Sequence, residues 1–200
     1  MYHNADFMSN QELKRLGFGK LGKNILISKN TTIVGAKNIF LGDNVRIDPF
    51  TFLLCPKGYI KIEKFTHVAS HVFIAGHNGF KLGKFCGLGA GTKIYTSSED
   101  YTGEGICNLN LSQKNKLNFK KFQKLNEKKV FIGSHINIGA NSVILPGTKI
   151  ENNSSVAANS LINGKLKGGF IYSGKPLKPV FRKLNKNIFF EKRLKDKIWK

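Results

Sequence analysis

Aliphatic residues recur at every sixth position through most of this chain. They fall into six sets of three: Leu21, Ile27, Ile33; Leu41, Ile47, Leu53; Ile62, Val68, Ile74; Leu82, Leu88, Ile94; Ile132, Ile138, Ile144; and Ile150, Val156, Ile162. A period of six fits neither a 3.6-residue helix nor the two-residue alternation of a strand, but it fits short strands joined by tight turns. The period therefore predicts an all-β solenoid in which each set of three markers forms one triangular coil.

The interruptions of this repeat all occur at the same place. The spacing exceeds six residues between Ile33 and Leu41, Leu53 and Ile62, Ile74 and Leu82, and Ile94 and Ile132, and each of these gaps follows the third marker of a set. The insertions must therefore leave the coil at one corner of the triangle, which is how a solenoid builds a binding surface. The longest insertion, residues 95–131, is predicted to be a functional loop because structureless loops of that length are uncommon otherwise.

The N-terminal segment, residues 1–20, is predicted to cap the solenoid of residues 21–174. Ser9 and Glu12 have the spacing of a capping box, and Gly17 suits the end of a helix. We therefore expect a short helix that begins after Ser9 and ends at Gly17.

The C-terminal segment, residues 175–200, abandons the six-residue period and is strongly basic. Its apolar residues recur at helical spacing, at Phe190, Leu194 and Ile198. We expect a helical tail that packs over the end of the coil or against a neighbouring subunit. Contact of this basic tail with a membrane surface is the less favoured alternative.

The charge narrows the classes of partner. The net charge is +21, yet of the 33 basic residues only Arg15, Arg46, Arg182 and Arg193 are arginine. Because base recognition relies on the bidentate guanidinium, we do not expect nucleic acid to be the partner. A phosphate-bearing small ligand, such as a nucleotide or coenzyme A, suits the charge at least as well.

Two further absences bear on the class of protein. The cysteines, Cys55, Cys86 and Cys107, match no zinc spacing, and no metal is expected. No apolar run approaches the length of a membrane span, and the N-terminus lacks the pattern of a secretion signal. We therefore expect a cytoplasmic protein.

Three stretches of the C-terminal half resemble a known family. They are VFIGSHINIGANSVILPGTKI over residues 130–150, SVAANS over 155–160 and YSGKP over 172–176. Their order is similar to that in the hexapeptide-repeat acyltransferases, which form left-handed parallel β-helices. Residues 41–50 and 93–103 also look like the members that act on nucleotide-linked sugars. The resemblance implies a left-handed β-helix of about six triangular coils, with one long loop, a short N-terminal helix and a C-terminal helix.

The same resemblance implies an activity. Members use acetyl-CoA as a co-substrate, acetylate sugars or nucleotide sugars, and assemble as homotrimers with active sites at the subunit interfaces. We expect N-acetylation of a nucleotide-linked amino sugar for surface-polysaccharide (O-antigen or capsule) biosynthesis. A galactoside-type sugar O-acetyltransferase, a zinc enzyme like the γ-type carbonic anhydrases and a non-catalytic β-solenoid remain as alternatives.

Histidine is the first candidate for the catalytic base because its ordinary pKa lies near neutrality. His67, His71 and His77 cluster beside the coil that precedes the long loop. His67 should point outward from a flat face, His71 should lie in the turn to the third face, and His77 should lie at the corner with the insertions. We take His67 or His71 as the base, with a slight preference for His67, and His77 as a substrate contact.

The long loop supplies the second group of candidates. The galactoside-type relatives carry a catalytic histidine there, whereas this loop has Glu99 and Asp100 at the corresponding place. A carboxylate can act as a base or bind the ammonium group of an amino sugar, which favours N-acetylation. Tyr95, Tyr101 and Asn108 are expected to contact the acceptor.

The uninterrupted coils after Ile132 are predicted to bind coenzyme A. By analogy with the family, the backbone of small residues contacts the cofactor and basic residues meet its phosphates. The small residues are Gly139, Ala140, Ala157 and Ala158, and the basic residues are Lys175, Lys178 and Arg182.

Overall fold

The computed structural model describes residues 6–105, 123–188, 190, 191 and 194. The chain winds into the predicted left-handed parallel β-helix of triangular coils. The first four coils comprise β1 (Lys20–Leu21), β2 (Leu26–Ile27), β3 (Thr32–Val34), β4 (Ile39–Leu41), β5 (Arg46–Ile47), β6 (Phe52–Leu54), β7 (Ile60–Ile62), β8 (His67–Val68), β9 (Phe73–Ala75), β10 (Phe80–Leu82), β11 (Gly87–Leu88) and β12 (Lys93–Tyr95).

A hairpin interrupts the helix after the fourth coil. Its strands are β13 (Ser97–Glu99) and β14 (Leu125–Glu127). The coil then resumes with β15 (Val130–Ile132), β16 (Asn137–Ile138), β17 (Val143–Ile144), β18 (Lys149–Ile150), β19 (Ser155–Val156), β20 (Leu161–Ile162), β21 (Lys165–Leu166), β22 (Phe170–Ser173) and β23 (Lys178–Arg182). The predicted long loop therefore leaves and rejoins the coil as a pair of antiparallel strands.

The strands stack into three parallel sheets, one on each side of the triangle. Sheet 1 has the order β1-β4-β7-β10-β15-β18-β21, sheet 2 the order β2-β5-β8-β11-β16-β19-β22-β23, and sheet 3 the order β20-β17-β12-β9-β6-β3. The sequence markers stack in register from coil to coil: in sheet 2, Ile27 pairs with Ile47, Ile47 with Val68, and Val68 with Leu88. The marker side chains form the core, and all are buried except Leu21 and Ile33 of the first coil, which are partly exposed.

The three corners of the triangle differ. Corner A joins sheets 1 and 2 and carries left-handed residues at Asn24, Asn44, Phe65, Phe85, His135 and Asn153. Corner B joins sheets 2 and 3 and carries them at Phe50, His71, Gly91, Asn141 and Asn159. Corner C joins sheets 3 and 1 and holds every insertion, including the 3-10 helix Ala36–Asn38 and the hairpin. The prediction that all insertions share one corner is confirmed.

The N-terminal helix forms as the sequence indicates. Helix α1 (Asn10–Arg15) begins after Ser9, whose Oγ accepts from the Glu12 backbone N–H while the Glu12 carboxylate accepts from that of Ser9. Gly17 follows with a left-handed φ of 68°. The capping box therefore explains where the helix starts and the glycine where it stops.

The C-terminal end differs from the prediction in two ways. Leu166 and Tyr172 add the start of a seventh coil, which the period misses because Leu166 follows Ile162 by fewer than six residues. The tail then begins with a strand, since β23 pairs antiparallel with β22 at the edge of sheet 2, where a proline such as Pro179 is tolerated. The prediction of a helix is wrong for that strand, and helical structure starts only at residue 186. No described helix is long and apolar enough to cross a bilayer.

Candidate active site

The hairpin is anchored at corner C by side chains of the neighbouring coils. The Asn78 backbone N–H donates to Thr96 Oγ1 at 3.1 Å, and its side-chain amide donates to the Thr96 carbonyl at 3.0 Å. Lys57 Nζ lies 3.1 Å from Glu127 Oε1 on the returning strand. The insertions of coils two and three thus support the base of the hairpin.

A cavity of about 530 Å³ lies between the hairpin and the following coils. Its walls carry three carboxylates and two lysines beside polar and apolar groups: Ser98, Glu99, Asp100, Tyr101, Thr102, Glu104, Lys124, Leu125, Asn126, Lys128, Leu145, Pro146 and Asn163. The predicted loop residues Glu99, Asp100 and Tyr101 are therefore brought together around one space. Its size and its convergent polar groups are those of a small-ligand site.

Glu99 has an incompletely satisfied carboxylate. Its Oε1 accepts from Gln123 Nε2 at 3.3 Å, whereas its Oε2 is buried without a hydrogen-bond partner among the described residues. A buried carboxylate oxygen without a partner is costly, so this atom is suited to a donor supplied by a ligand.

Asp100 is held differently. It accepts from the Thr102 backbone N–H at 3.1 Å, from Thr102 Oγ1 at 2.7 Å and from the Glu104 backbone N–H at 2.8 Å. The hydrogen bonds from Thr102 lower the pKa of Asp100. This carboxylate therefore stays ionised near neutral pH, which suits it to binding a cation better than to accepting a proton.

The predicted substrate contacts divide among three places. Tyr101 lines the cavity and is 90% exposed. Tyr95 lies on the outer face of sheet 3, where its ring is 5.5 Å from that of Phe73. Asn108 lies outside the described residues. Of the predicted substrate contacts that the structure describes, only Tyr101 lines the acidic cavity.

His77 lies at corner C, as predicted. Burial and the charge of Lys57 lower its pKa, and the opposing charge of Glu127 only partly compensates. The imidazole is therefore neutral near pH 7. The influence of Lys57 and Glu127 on His77 could not be predicted from the sequence, because the two residues belong to different insertions.

His67 points outward from β8 on sheet 2. Its Nε2 lies 2.8 Å from Asp48 Oδ2, and Asp48 Oδ1 accepts from Arg46 Nε at 2.7 Å. The carboxylate can fix the orientation of the ring, but sheet 2 is the side of the triangle opposite corner C. Within one chain the structure does not bring His67 to the acidic cavity.

His71 occupies corner B with a φ of 60°, and its ring lies 5.2 Å from that of Phe50. Turn-to-turn hydrogen bonds run along this corner from Gly91 to Ser70, from Asn141 to Ala90 and from Asn159 to Ala140. His71 therefore lies in the same column of turns as Gly139, Ala140, Ala157 and Ala158. At about 4.8 Å per coil, its backbone is roughly 10 Å from that of Gly139 and Ala140 and roughly 14 Å from that of Ala157 and Ala158.

The coenzyme A candidates leave little room between coils. A Cβ at Gly139 would lie 2.2 Å from the Ala158 backbone nitrogen, so only glycine fits there. Next to them lies a second cavity of about 530 Å³, formed by corner B, sheet 3 and the chain after β22. Its lining residues are Asn141, Val143, Asn159, Ser160, Leu161, Gly174, Lys175, Pro176 and Leu177.

Of the predicted phosphate contacts, only Lys175 reaches this second cavity. Lys178 and Arg182 lie at opposite ends of β23, and the Arg182 guanidinium lies over the Phe170 ring at 6.0 Å. The structure therefore separates the three basic residues that the family resemblance groups together.

A buried cluster at corner A was not predicted. His135 Nε2 lies 2.5 Å from Glu191 Oε2, Lys84 Nζ contacts the other carboxylate oxygen, and Phe85 stacks on the His135 ring. Lys183 donates to the His135 carbonyl at 2.8 Å. These contacts hold the C-terminal segment against the coil, and their separation in sequence left no local signal.

Among the described residues, the remaining nucleophilic and metal-binding types of side chain do not form a site. Burial raises the pKa of the Cys55 and Cys86 thiols to about 11, so neither is a reactive thiolate. No group of three or more His, Cys, Asp or Glu side chains in the described ranges is arranged to hold a metal ion. Cys107 lies outside those ranges.

Comparisons with known proteins agree with this geometry. Residues 129–164 match the family model for the bacterial transferase hexapeptide, six repeats. The chain is 27% identical to the dTDP-4-amino-4,6-dideoxy-D-glucose acyltransferase of Escherichia coli, over 92% of this chain and 93% of that protein. It is 28% identical to AntD, an N-acyltransferase from Bacillus cereus, solved with dTDP and 3-hydroxybutyryl-CoA; the TM-score is 0.87, over 98% and 99% of the two chains.

A mutant of AntD has been solved with dTDP-4-amino-4,6-dideoxyglucose and coenzyme A, and its TM-score is 0.88, with 28% identity over 98% of this chain and 100% of that one. The coiled fold, with one interrupted and two uninterrupted corners, is that of a hexapeptide-repeat protein. These likenesses extend over nearly the whole chain and support an acyltransferase that is similar over its length to enzymes built from hexapeptide repeats.

Proposed function

We propose that this protein transfers an acyl group from coenzyme A to the amino group of a nucleotide-linked amino sugar. The observation that carries the proposal is the full-length likeness to AntD, which has been solved with both classes of ligand. The carboxylates around the hairpin cavity support it, because Glu99, Asp100 and Glu104 suit the ammonium form of an amino sugar. Glu104 also pairs with Lys124, so Glu99 and Asp100 are the carboxylates that favour an amine over a neutral hydroxyl as the acceptor.

The reaction requires two proton movements. The ammonium loses one proton, and its nitrogen then attacks the thioester carbonyl carbon to form the new C–N bond. As the C–S bond breaks, the second proton passes to the departing sulfur, so that the products are an amide and the free thiol of coenzyme A. Glu99 is the proposed first acceptor, since its Oε2 lacks a partner among the described groups. Asp100 stabilises the positive charge on the nitrogen before that proton leaves.

A homotrimer with its sites between subunits is part of the proposal. Glu99 belongs to corner C and His71 to corner B, so a neighbouring chain is needed to bring hairpin and histidine together. The outer face of sheet 3 supports such packing, because Phe52 is 41% exposed and Leu161 is 62% exposed. An apolar face of that kind is usually covered in an assembly. His71 then replaces His67 as the favoured histidine, because His71 shares a corner with the coenzyme A candidates.

The finer assignments follow from the same scheme. The donor is acetyl-CoA, held along Gly139, Ala140, Ala157 and Ala158, with Lys175 placed to meet a phosphate. The enzyme acts in the cytoplasm, where nucleotide sugars for surface polysaccharide are made. 3-Hydroxybutyryl-CoA is the donor to compare, because AntD has been solved with it.

The proposal is tested by release of free thiol from each acyl-CoA. The acceptors to supply are dTDP-4-amino-4,6-dideoxyglucose, the matching sugar nucleotide with a hydroxyl in place of the amine, and free galactosides. We expect turnover with the amine only, and mass spectrometry should show one acyl group on the sugar nitrogen. Turnover of hydroxyl acceptors alone would sink the N-acyl assignment.

The interface sites are tested by complementation. Glu99→Gln and His71→Ala chains are each expected to be nearly inactive, and co-expressed mixed trimers should regain activity because some sites then combine two intact residues. A mixture no more active than its parents, with mixed trimers shown by native mass spectrometry, would place both residues in one chain's site or neither in any.

A further inference from the structure

The outer faces of the three sheets differ sharply in charge. On each strand the residue before the marker points away from the core. In sheet 1 these positions carry Lys20, Lys61, Lys81, Lys149 and Lys165, which the strand register places in one row. Phe40 and Phe131 occupy the other two places of this row, which we call the lysine ladder.

Composition alone does not explain the ladder. Lysine is abundant throughout the chain, but the corresponding row of the described strands holds no lysine in sheet 2 and only Lys93 in sheet 3. An excess of lysine without a role would be spread over all three faces. The sorting of charge onto sheet 1 therefore calls for a physical reason.

The ladder is costly in the isolated molecule. Adjacent strands of a sheet are about 4.8 Å apart, so the ammonium groups of lysines on neighbouring strands repel one another. Lys61 and Lys81 share Glu63, at 4.0 and 3.3 Å, and Lys165 lies 3.1 Å from Glu151. Two carboxylates beside five lysines leave the face positive, and burying it against another subunit would require desolvating those charges.

We propose that the lysine ladder binds the enzyme to an anionic membrane surface. The row lies on one side of the triangle and spans about 29 Å, or six intervals of about 4.8 Å, so a planar bilayer surface can meet several of its lysines at once. Phe40 and Phe131 are partly exposed within it, and the Lys81 ammonium lies 5.4 Å from the Phe131 ring centroid. Aromatic rings among lysines suit the headgroup region, where apolar and charged groups are both accommodated.

A nucleic acid fits this face less well. A duplex is a cylinder and meets a flat row over only part of its length. The ladder also contains no arginine, the residue that recognises phosphate and bases with paired hydrogen bonds. The observations therefore favour a planar anionic surface.

The test is flotation of the whole protein with lipid vesicles. We expect binding to phosphatidylcholine vesicles that contain phosphatidylglycerol, none to phosphatidylcholine alone, and loss of binding near 1 M salt, where the screening length is about 3 Å. The K61Q/K81Q/K149Q variant should bind at least about tenfold more weakly, because each lysine near an anionic leaflet contributes separately. Its thiol-release activity in solution should match that of the unmodified protein, which shows that it is folded.

A matched control removes the same charge elsewhere. The K14Q/K93Q/K186Q variant changes exposed lysines of helix α1, sheet 3 and the tail, and it should retain vesicle binding to within about twofold. An equal loss in both variants would overturn the proposal in favour of net charge. Binding to a labelled RNA oligomer without binding to anionic vesicles would overturn it in favour of nucleic acid.

Discussion

Corners B and C are built from the same six-residue repeat, but they differ in their insertions and in the groups that they expose. Corner B has no insertion, and from the fourth coil onward its turns are built from small residues, so that Ala140 and Ala158 follow one another at the spacing of the coils. Corner C is interrupted after every early coil and presents charged side chains such as Glu99 and Glu127. We therefore expect the uninterrupted corner to offer backbone groups to an extended ligand and the interrupted one to offer reactive side chains.

A substitution at Gly139 of corner B should have the most severe consequence. In Gly139→Ala, the new Cβ would lie 2.2 Å from the Ala158 nitrogen, and backbone on both sides of the gap would have to move. We expect a loss of at least about 3 kcal/mol in the free energy of unfolding, or a Tm lower by roughly 6–12 °C. Thermal unfolding measures this, and the KM for acyl-CoA should rise in parallel.

Gly164→Ala is the matched control for that substitution. Gly164 has a φ of 75°, but a Cβ there would meet nothing within 4 Å. Its cost is the backbone conformation alone, about 1–2 kcal/mol. Equal losses in the two variants would show that contact between coils is not what constrains corner B.

The next effect concerns the chemistry of corner C. Glu99→Gln keeps the size of the side chain but removes the charge and the proposed proton acceptor, so kcat/KM for the amino sugar should fall about a hundredfold. Glu104→Gln removes a carboxylate that pairs with Lys124 on the rim of the same cavity, and it should cost less than about threefold. Steady-state kinetics with both variants decide whether position 99 or only the total charge matters.

The contrast between the corners was largely visible in the sequence. The period gave the core, because markers such as Ile47 and Val68 need only be apolar and six residues apart to stack. The side-chain pairs that orient individual histidines could not be predicted from the sequence. Asp48 reaches His67, and Glu191 reaches His135, across whole coils, and no local pattern specifies such contacts.

The C-terminal end of the solenoid was not predicted, for a different reason. The seventh coil begins with a shortened spacing before Leu166, and β23 pairs with β22 although it contains Pro179. Both features depend on an available sheet edge, which is a property of the folded coil and not of the local sequence. The hairpin strands likewise depend on pairing between Ser97–Glu99 and Leu125–Glu127, which lie far apart in the chain.

Corner A allows a test of how the C-terminal tail is held against the coil. There the Glu191 carboxylate contacts His135 and Lys84. Burial alone would raise the pKa of Glu191, but hydrogen bonds and charges from Lys84 and His135 outweigh it, so the folded pKa lies below the ordinary 4.5. A lowered carboxyl pKa stabilises docking fully above the unfolded value, and that stabilisation is lost as pH falls through the folded pKa. We expect the docking of Lys183 and Glu191 against the coil to weaken below about pH 4.5.

Hydrogen exchange of the tail measures this effect. The intrinsic exchange rate of an amide falls with acid, so the quantity to compare is the protection of the tail relative to that rate. In the unmodified chain this protection should decrease as the pH is lowered. Glu191→Gln should exchange faster at neutral pH and lose the extra dependence on acid. Identical pH profiles for the two chains would contradict a role for the Glu191 carboxylate in docking.

The last prediction concerns the Lys57–Glu127 pair at corner C, where a change of charge should alter the pKa of His77 but hardly alter stability. The Lys57–Glu127 pair is exposed, with 63% and 37% of the two side chains accessible, so Lys57→Gln should change the free energy of unfolding by less than about 1 kcal/mol. The pKa of His77 should nevertheless respond in opposite directions. Lys57→Gln removes a charge that lowers it and should raise the pKa, whereas Glu127→Gln removes a charge that raises it and should lower the pKa. An NMR titration of the His77 ring distinguishes these signs, and shifts in the same direction for both variants would show that the hairpin contacts His77 by packing instead of by charge.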